Sequence, residues 1–305
     1  MRKKEKIDLL TLKDHDPGVI RDIISSAGRI KADPGICGRL LSGKSIALLF
    51  NKHSTRTRLS FEAGINQMGG NTLYLDAGSL QLSRGENYSD TARIFSGYID
   101  GVVIRTYEQE VLEIFSRHAG IPVINGLTDS YHPCQALADI FTVSELGILD
   151  KDLRFTYMGD SNNVANSLMI GMSKLGIGIT VCSPREYGPD REILDYCSSL
   201  PGKDVEVVED PKKAVEDADI IYTDVWISMG DKDTSGKIKR LKPYQVNSEL
   251  LAAAKDGVKV MHCLPAHRGQ EITAEVMDGG SSIVFTQAEN RLYAQKALLA
   301  YIYGQ

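Results

Sequence analysis

The 305-residue sequence contains no apolar run near the roughly 18 residues that a membrane helix needs. Its N-terminus, MRKKEKIDLL, is charged and is followed by neither an apolar core nor a cleavage site, so it does not read as a secretory signal. The five cysteines, Cys37, Cys134, Cys182, Cys197 and Cys263, are odd in number, scattered, and form no CxxC pair. This pattern excludes a disulfide framework and fits free thiols in a reducing cytoplasm. A basic excess is missing too. With 35 Lys+Arg against 40 Asp+Glu, a net charge of −5 and a pI near 5.7, a nucleic-acid partner is not expected. Low-complexity tracts, short repeats and heptads are absent. What remains is an ordinary globular composition, 42% hydrophobic, 25% charged and 7% aromatic, at a length that suggests two domains.

Short apolar runs alternate with helical patterns. Strands are predicted at Ser45–Phe50, Thr72–Leu75, Gly101–Ile104 and Ile121–Ile124, with helices at Leu59–Met68, Tyr88–Ile99 and Glu110–His118 between them. The rhythm restarts at Phe155–Met158 and continues through Gly178–Val181, Asp204–Val208, Ile220–Tyr222 and Val258–Met261. A helix over Cys134–Leu146 leads into a joint at residues 145–152, and Gln287–Tyr303 closes the chain as a helix. The expectation is an α/β protein of two doubly wound parallel-sheet domains. Residues 1–147 and 148–286 form the two, and the helix within 287–305 packs back on the first.

In open α/β sheets, ligands bind beyond the carboxyl ends of the strands. The chemically unusual residues fall there: SxRTR after the first strand, Arg105 after the third, and HPCQ (132–135) after the fourth. In the second domain they are GDSNN (159–163), DVWISMG (224–230) and HCLP (262–265). Six such loops imply an active site in a cleft between the domains. Two motifs mislead. Gly38–Ser45 spells the P-loop GxxxxGKS, but its strand comes after the match instead of before it, so it reads as the turn feeding that strand. Gly159-Asp160 lacks the rest of a GxGxxG fingerprint.

The segment FNKHSTRTRLSFE (50–62) places four basic side chains and four hydroxyls between a strand and a helix. A helix N-terminus offers unpaired N–H groups and the positive end of its dipole. Ser54, Thr55 and Thr57 add hydroxyl donors, and Arg56 adds a planar fork suited to phosphate oxygens. The donors exceed what a helix cap needs, so a pocket for a phosphate dianion is expected. Arg58, further into the helix, is also compatible with a structural ion pair.

STRTR followed by LSFE, together with HPCQ, DVWISMG, HCLP and QAENR (287–291), resembles the aspartate/ornithine carbamoyltransferase family across nearly the whole chain. Within that family, DxxxSMG and HCLP point to the ornithine side. The resemblance implies transfer of the carbamoyl group from carbamoyl phosphate to the δ-amine of L-ornithine, giving L-citrulline and phosphate in arginine biosynthesis or breakdown. It implies no metal and no organic cofactor. It also implies a homotrimer, or multiples of one, with active sites shared between copies. Ser54, Thr55, Arg56 and Thr57 would hold the phosphate, joined by Gln81 from a neighbouring copy. Arg105 and His132 would hydrogen-bond the carbonyl oxygen. Gln135 and the Leu264 carbonyl would hold the carbamoyl nitrogen, and Arg291 would reach the same substrate. Asn163, Asp224, Ser228 and Met229 would bind ornithine, with Cys263 beside the reacting carbamoyl group and amine.

Read singly, these residues have plainer roles: a strand-end salt bridge for Arg105, a turn histidine for His132, a surface charge for Arg291 and a turn residue for Asp224. Cys263 with His262 also admits a thiol nucleophile, although neighbours on a strand face opposite ways. The polar run DKDTSGKIK (231–239) reads as a mobile loop. Gln270 and Tyr293 stand where many relatives carry an acid and a histidine. Putrescine or N-acetylornithine is the alternative acceptor.

Overall fold

The computed structural model describes residues 6–149, 152–202, 204–227 and 234–304. The chain divides into two compact units, residues 1–141 with 290–305, and residues 142–289.

The first unit holds β1 (Ser45–Phe50), β2 (Asn71–Asp76), β3 (Gly101–Arg105) and β4 (Val123–Leu127) in one parallel sheet of order β2-β1-β3-β4. Around it run α1 (Pro17–Ala32), α2 (Arg56–Gln67), α3 (Tyr88–Tyr98), α4 (Gln109–His118) and the start of α5 (Pro133–Glu145). β1 and β3 are buried along nearly their whole length. Continuous apolar runs of this kind suit a parallel sheet covered on both faces. Leu49, Val102, Ile104, Leu112 and Phe115 form one core cluster. Each such side chain contributes about 1.5–3 kcal/mol when fully buried.

The second unit contains β5 (Phe155–Met158), β6 (Ile179–Cys182), β7 (Val205–Val208), β8 (Ile220–Thr223) and β9 (Lys259–His262), all parallel, in the order β7-β6-β5-β8-β9. Its helices are α6 (Asn163–Lys174), α7 (Arg191–Ser198), α8 (Pro211–Val215), α9 (Thr234–Leu241), α10 (Ser248–Ala252) and α11 (Ala274–Met277). Met158, Ile221, Val246, Val260, Ile272 and Val276 are buried together. The last helix, α12 (Val284–Tyr303), begins in this unit and ends in the first. Two parallel-sheet α/β units are therefore present, as expected.

The strand order locates the reactive ends. In the first sheet the chain reverses its direction of winding between β1 and β3, and in the second between β5 and β8. Ligands of open α/β sheets sit at such switch points. Phe50 lies level with Arg105, and Met158 with Thr223, so the loops after each pair of strands open side by side.

Three element boundaries differ from expectation by three residues. α2 starts at Arg56, three residues before its apolar periodicity. The buried stripe of Phe61 and Ile65 marks where the helix packs, whereas its polar first turn is supported by Ser54 Oγ, which accepts the Thr57 N–H. β4 lies three residues further on at its C-terminal end, and α12 begins at Val284. Within the run read as a loop, residues 234–241 form α9, anchored by buried Leu241 and by ion pairs from Lys237 and Arg240. The first three residues of that run, 231–233, lie outside the described residues, as do Ser228 and Met229.

Candidate active site

At the switch point of the first sheet, the loop after β1 turns into α2. Ser54 Oγ accepts the Thr57 N–H at 3.2 Å, which sets the first turn of the helix. Thr55 is exposed, Ser54 and Arg56 are half-buried and Thr57 is buried. Arg291, brought in by α12 and itself buried, donates from Nη2 to Thr57 Oγ1 at 2.8 Å. Arg105 ends β3, and its carbonyl accepts the Asn51 N–H at 2.8 Å, joining the β1 and β3 loops. His132 directly precedes α5, and its carbonyl accepts the N–H groups of Gln135 and Ala136.

Burial, with the nearby Arg291 and Arg105 guanidinium charges, holds the His132 imidazole well below its ordinary pKa. The ring is therefore neutral near pH 7, with one N–H to give and one lone pair. Gln135 donates from its amide nitrogen to Asp139 Oδ1 at 2.8 Å. A carboxylate can only accept, so the amide orientation is settled, and Gln135 Oε1 is buried with no hydrogen-bond partner among the described residues. Helix N-terminus, Thr57, Arg105, Arg291, neutral His132 and an acceptor from Gln135 are thus brought to one end of one sheet.

Neighbours with similar sequence credentials do other things. Arg58 pairs with Glu62 at 3.0 Å and stacks its guanidinium 3.6 Å from the Tyr74 ring centroid. Burial pushes the Cys134 thiol up to about 12, so it stays protonated, and it donates to the Asn125 carbonyl. Gln81 sits exposed at the start of a 3-10 turn, Gln81–Arg84. The GKS spelling is the turn before β1, with Gly43 at φ 77°.

At the switch point of the second sheet, Asp224 follows β8 and is buried. Its Oδ2 accepts from Asn162 Nδ2 at 2.7 Å, and its Oδ1 accepts from the Val225 N–H at 2.7 Å and the Cys263 thiol at 2.9 Å. Asn162 is also the N-cap of α6, its Oδ1 accepting the Val164 and Ala165 N–H groups. Asn163 is the first residue of α6 and half-buried. Asn162 was not singled out from the sequence. Its signal, an Asn just ahead of an apolar helical run, marks a cap and not a contact to Asp224. Gly159, before this loop, has φ 115°, and a side chain there would meet Trp226 Nε1 at 3.1 Å. Only glycine lets the strand turn this tightly over the indole.

His262 ends β9 fully buried. Its Nδ1 accepts the Leu264 N–H at 2.9 Å, so Nε2 carries the proton and donates to Glu271 at 3.1 Å. Both nitrogens are occupied, and Cys263 faces a carboxylate instead. A thiol–imidazole nucleophile pair is not formed. Asp224, His262 and Cys263 do bring ligand-type atoms within 4.8 Å of one another. With both imidazole nitrogens already engaged, only the thiol and the carboxylate would remain to hold a metal. Leu264 turns the chain at φ 60°, a backbone setting rare for a branched residue, immediately beside this cluster.

Together these features define an α/β enzyme with a cluster of hydrogen-bond donors and guanidinium charges at the switch point of one sheet and a carboxylate–thiol pair at that of the other. The model of the aspartate/ornithine carbamoyltransferase carbamoyl-P binding domain matches residues 7–145, and that of the Asp/Orn binding domain matches residues 151–302. The chain belongs to the aspartate/ornithine carbamoyltransferase family. It is 48% identical over 303 residues to the ornithine carbamoyltransferase of Bacillus subtilis (strain 168), covering 97% of this chain and 93% of the relative. The ornithine carbamoyltransferase of Pyrococcus abyssi is 46% identical over 303 residues, covering 97% and 96%. Among solved structures, ornithine carbamoyltransferase from Pyrococcus furiosus superposes with a TM-score of 0.92 at 46% identity, covering 97% of each chain. Among the described residues, no helix is long and apolar enough to cross a membrane.

Proposed function

We propose that this chain transfers the carbamoyl group of carbamoyl phosphate to the δ-amine of L-ornithine, giving L-citrulline and phosphate. The observation that carries this reading is the convergence of the α2 N-terminus, Arg291 and Arg105 around a neutral His132. Carbamoyl phosphate needs that combination. Its phosphate is an anion that must be held as a leaving group, and its carbonyl oxygen gains negative charge as the amine attacks. Ser54, Thr55, Arg56 and Thr57 bind the phosphate, with exposed Gln81 serving the site of an adjoining copy. Arg105 and the His132 N–H donate to the carbonyl oxygen, where donors are worth most in the tetrahedral state. Gln135 Oε1 and the Leu264 carbonyl accept the carbamoyl N–H groups, and Arg291 supports the donor through Thr57.

The neutral δ-amine adds to the carbonyl carbon. Collapse of the intermediate breaks the bond to the phosphate oxygen, and the departing phosphate takes up the proton released from the amine nitrogen. Asp224 supplies the negative charge for ornithine's α-ammonium, while Asn163, Ser228 and Met229 hold the rest of the amino acid. Cys263, held by Asp224, flanks the reacting carbamoyl group and the side-chain amine and forms no covalent intermediate. In this reading residues 1–147 with the last helix handle carbamoyl phosphate, and residues 148–286 handle ornithine.

The working unit is a homotrimer or a multiple of it. The exposed apolar residues Leu59, Leu73, Ile94 and Tyr98 on α2, the edge strand β2 and α3 support this, since large apolar side chains exposed in quantity mark contact surfaces. Five free cysteines suit the reducing cytoplasm as its setting, within arginine biosynthesis or breakdown.

The test is citrulline formation by the purified chain from carbamoyl phosphate and ornithine, with putrescine, N-acetylornithine and aspartate in parallel. Turnover confined to ornithine is expected. Turnover with another amine would keep the anion pocket and overturn the acceptor assignment.

A further inference from the structure

We infer that Lys52 is a positioning residue for the anion pocket, its ammonium clamped between the Asp129 carboxylate and the Tyr107 ring so that it joins the three loops carrying the carbamoyl-phosphate ligands. The inference rests on the reading of that pocket given above. Lys52 is 6% exposed, and lysines are almost never this buried unless paired. Its Nζ makes an ion pair with Asp129 and lies 4.2 Å from the Tyr107 ring centroid. The three residues belong to three different loops. Lys52 lies two residues before Ser54, Tyr107 two after Arg105, and Asp129 three before His132.

Neutral bonds run along the same seam. The Asn51 N–H donates to the Arg105 carbonyl and the Asp129 N–H to the Tyr107 carbonyl, each at 2.8 Å, and Asn51 Nδ2 donates to Thr106 Oγ1 at 2.9 Å. Lys52 adds a charge at their junction, held by a carboxylate on one side and an aromatic face on the other. A cation–π contact of this kind strengthens when desolvated.

A plainer reading is that Lys52 adds positive charge to the pocket. The pairing argues against it, because Lys52 and Asp129 together are neutral and their combined field at the anion is small. The two readings predict opposite signs for one substitution. If charge alone mattered, Asp129→Asn would unmask the lysine and tighten carbamoyl phosphate. If Lys52 acts by holding the loops, Asp129→Asn removes its anchor and weakens carbamoyl phosphate.

The experiment measures KM for carbamoyl phosphate and for ornithine in the full chain, in Lys52→Met, in Asp129→Asn and in the double variant. Small misplacements of binding groups cost orders of magnitude, so the carbamoyl-phosphate KM should rise about tenfold in Lys52→Met and about threefold in Asp129→Asn. The double variant should stay within about twofold of Lys52→Met, with the ornithine KM unchanged within the same margin. A lower carbamoyl-phosphate KM in Asp129→Asn, recovery of the wild-type value in the double variant, or no movement in any variant would overturn the inference. Should Lys52→Met fail to fold, the sign of the Asp129→Asn effect decides alone. If the unaltered chain carbamoylates no acceptor, the functional reading fails separately. The same variants are then titrated with inorganic phosphate by calorimetry, where weaker binding in Asp129→Asn supports the role of Lys52 and unchanged or tighter binding removes it.

Discussion

Arg291 Nη2 donates to Thr57 Oγ1 at 2.8 Å across 234 residues of sequence. The last helix thus delivers a buried guanidinium to the first turn of α2, beside the neutral ring of His132. Lysine could keep the charge, but not the planar fork that holds the hydroxyl in place. Arg291→Lys should therefore raise the carbamoyl-phosphate KM by about ten- to a hundredfold, the range set by losing one charge-assisted hydrogen bond. Steady-state kinetics check this. A rise in the ornithine KM alone would remove Arg291 from the donor site.

Gln135 leads to a sharper comparison. Its NH2 is committed to Asp139, and its Oε1 is a buried acceptor with no partner among the described residues. An unmet buried acceptor costs about 1–3 kcal/mol, and the carbamoyl NH2 can recover it. Acetyl phosphate is nearly the same shape but carries a methyl group in place of that NH2. The wild-type chain should bind carbamoyl phosphate at least about tenfold more tightly than acetyl phosphate, and Gln135→Met should narrow that gap, leaving only the Leu264 carbonyl's share. Calorimetric titration of both ligands decides. Undiminished discrimination in the variant would place the NH2 elsewhere.

What could be read in advance follows from where the information lies in the chain. β1 and β3 are nearly continuous apolar runs, and such runs announce a buried parallel sheet without reference to anything distant. The donor cluster at the start of α2 is legible because Ser54 to Thr57 lie together in one strand–helix segment. The true start of α2 was not, since apolar periodicity reports the packed face and says nothing of a polar first turn. Nor was α9, whose polar sequence is held by Lys237 on Asp160 and Arg240 on Glu186, residues over fifty positions away. Lys52 and Asn162 acquire their roles from equally remote partners, Asp129 and Asp224. Arg291 was reachable only through the family resemblance, because nothing in QAENR by itself points to Thr57.

Asn162 couples two functions in one side chain. Its oxygen caps α6 and its nitrogen holds Asp224. Asn162→Ala loses both, and an N-cap alone is worth about 0.5–2 kcal/mol. Asn162→Asp retains the cap but sets a second carboxylate against Asp224, where like charges repel. Both variants should raise the ornithine KM, and only the alanine variant should lose the cap's contribution to the helix. Kinetics with hydrogen exchange at the Val164 and Ala165 amides separate the two effects. An unchanged ornithine KM in Asn162→Asp would show that the orientation of Asp224 does not govern acceptor binding.

His132 makes the site's pH behaviour predictable in sign. Burial first, then Arg291 and Arg105, lower its folded-state pKa well below the ordinary 6.5. Above about pH 6.5 the ring is neutral in both folded and unfolded chains, so the site adds no slope to stability there. Below that pH the unfolded chain takes up a proton that the folded chain refuses. Stability drains away as pH falls, until the folded-state pKa is reached. His132→Gln keeps an N–H donor and removes the titration, so its stability should fall less than that of the wild type between pH 7 and pH 5. Urea denaturation at both values measures this. The same substitution should lower kcat by about 10²-fold, the usual loss for a displaced donor to a developing oxyanion. The activity ratio of variant to wild type should stay flat between pH 6 and pH 8, because the wild-type ring does not ionise in that window. A ratio that changes severalfold near pH 6.5 would mean that His132 works as a titrating acid, and its role as a fixed neutral donor would have to be abandoned.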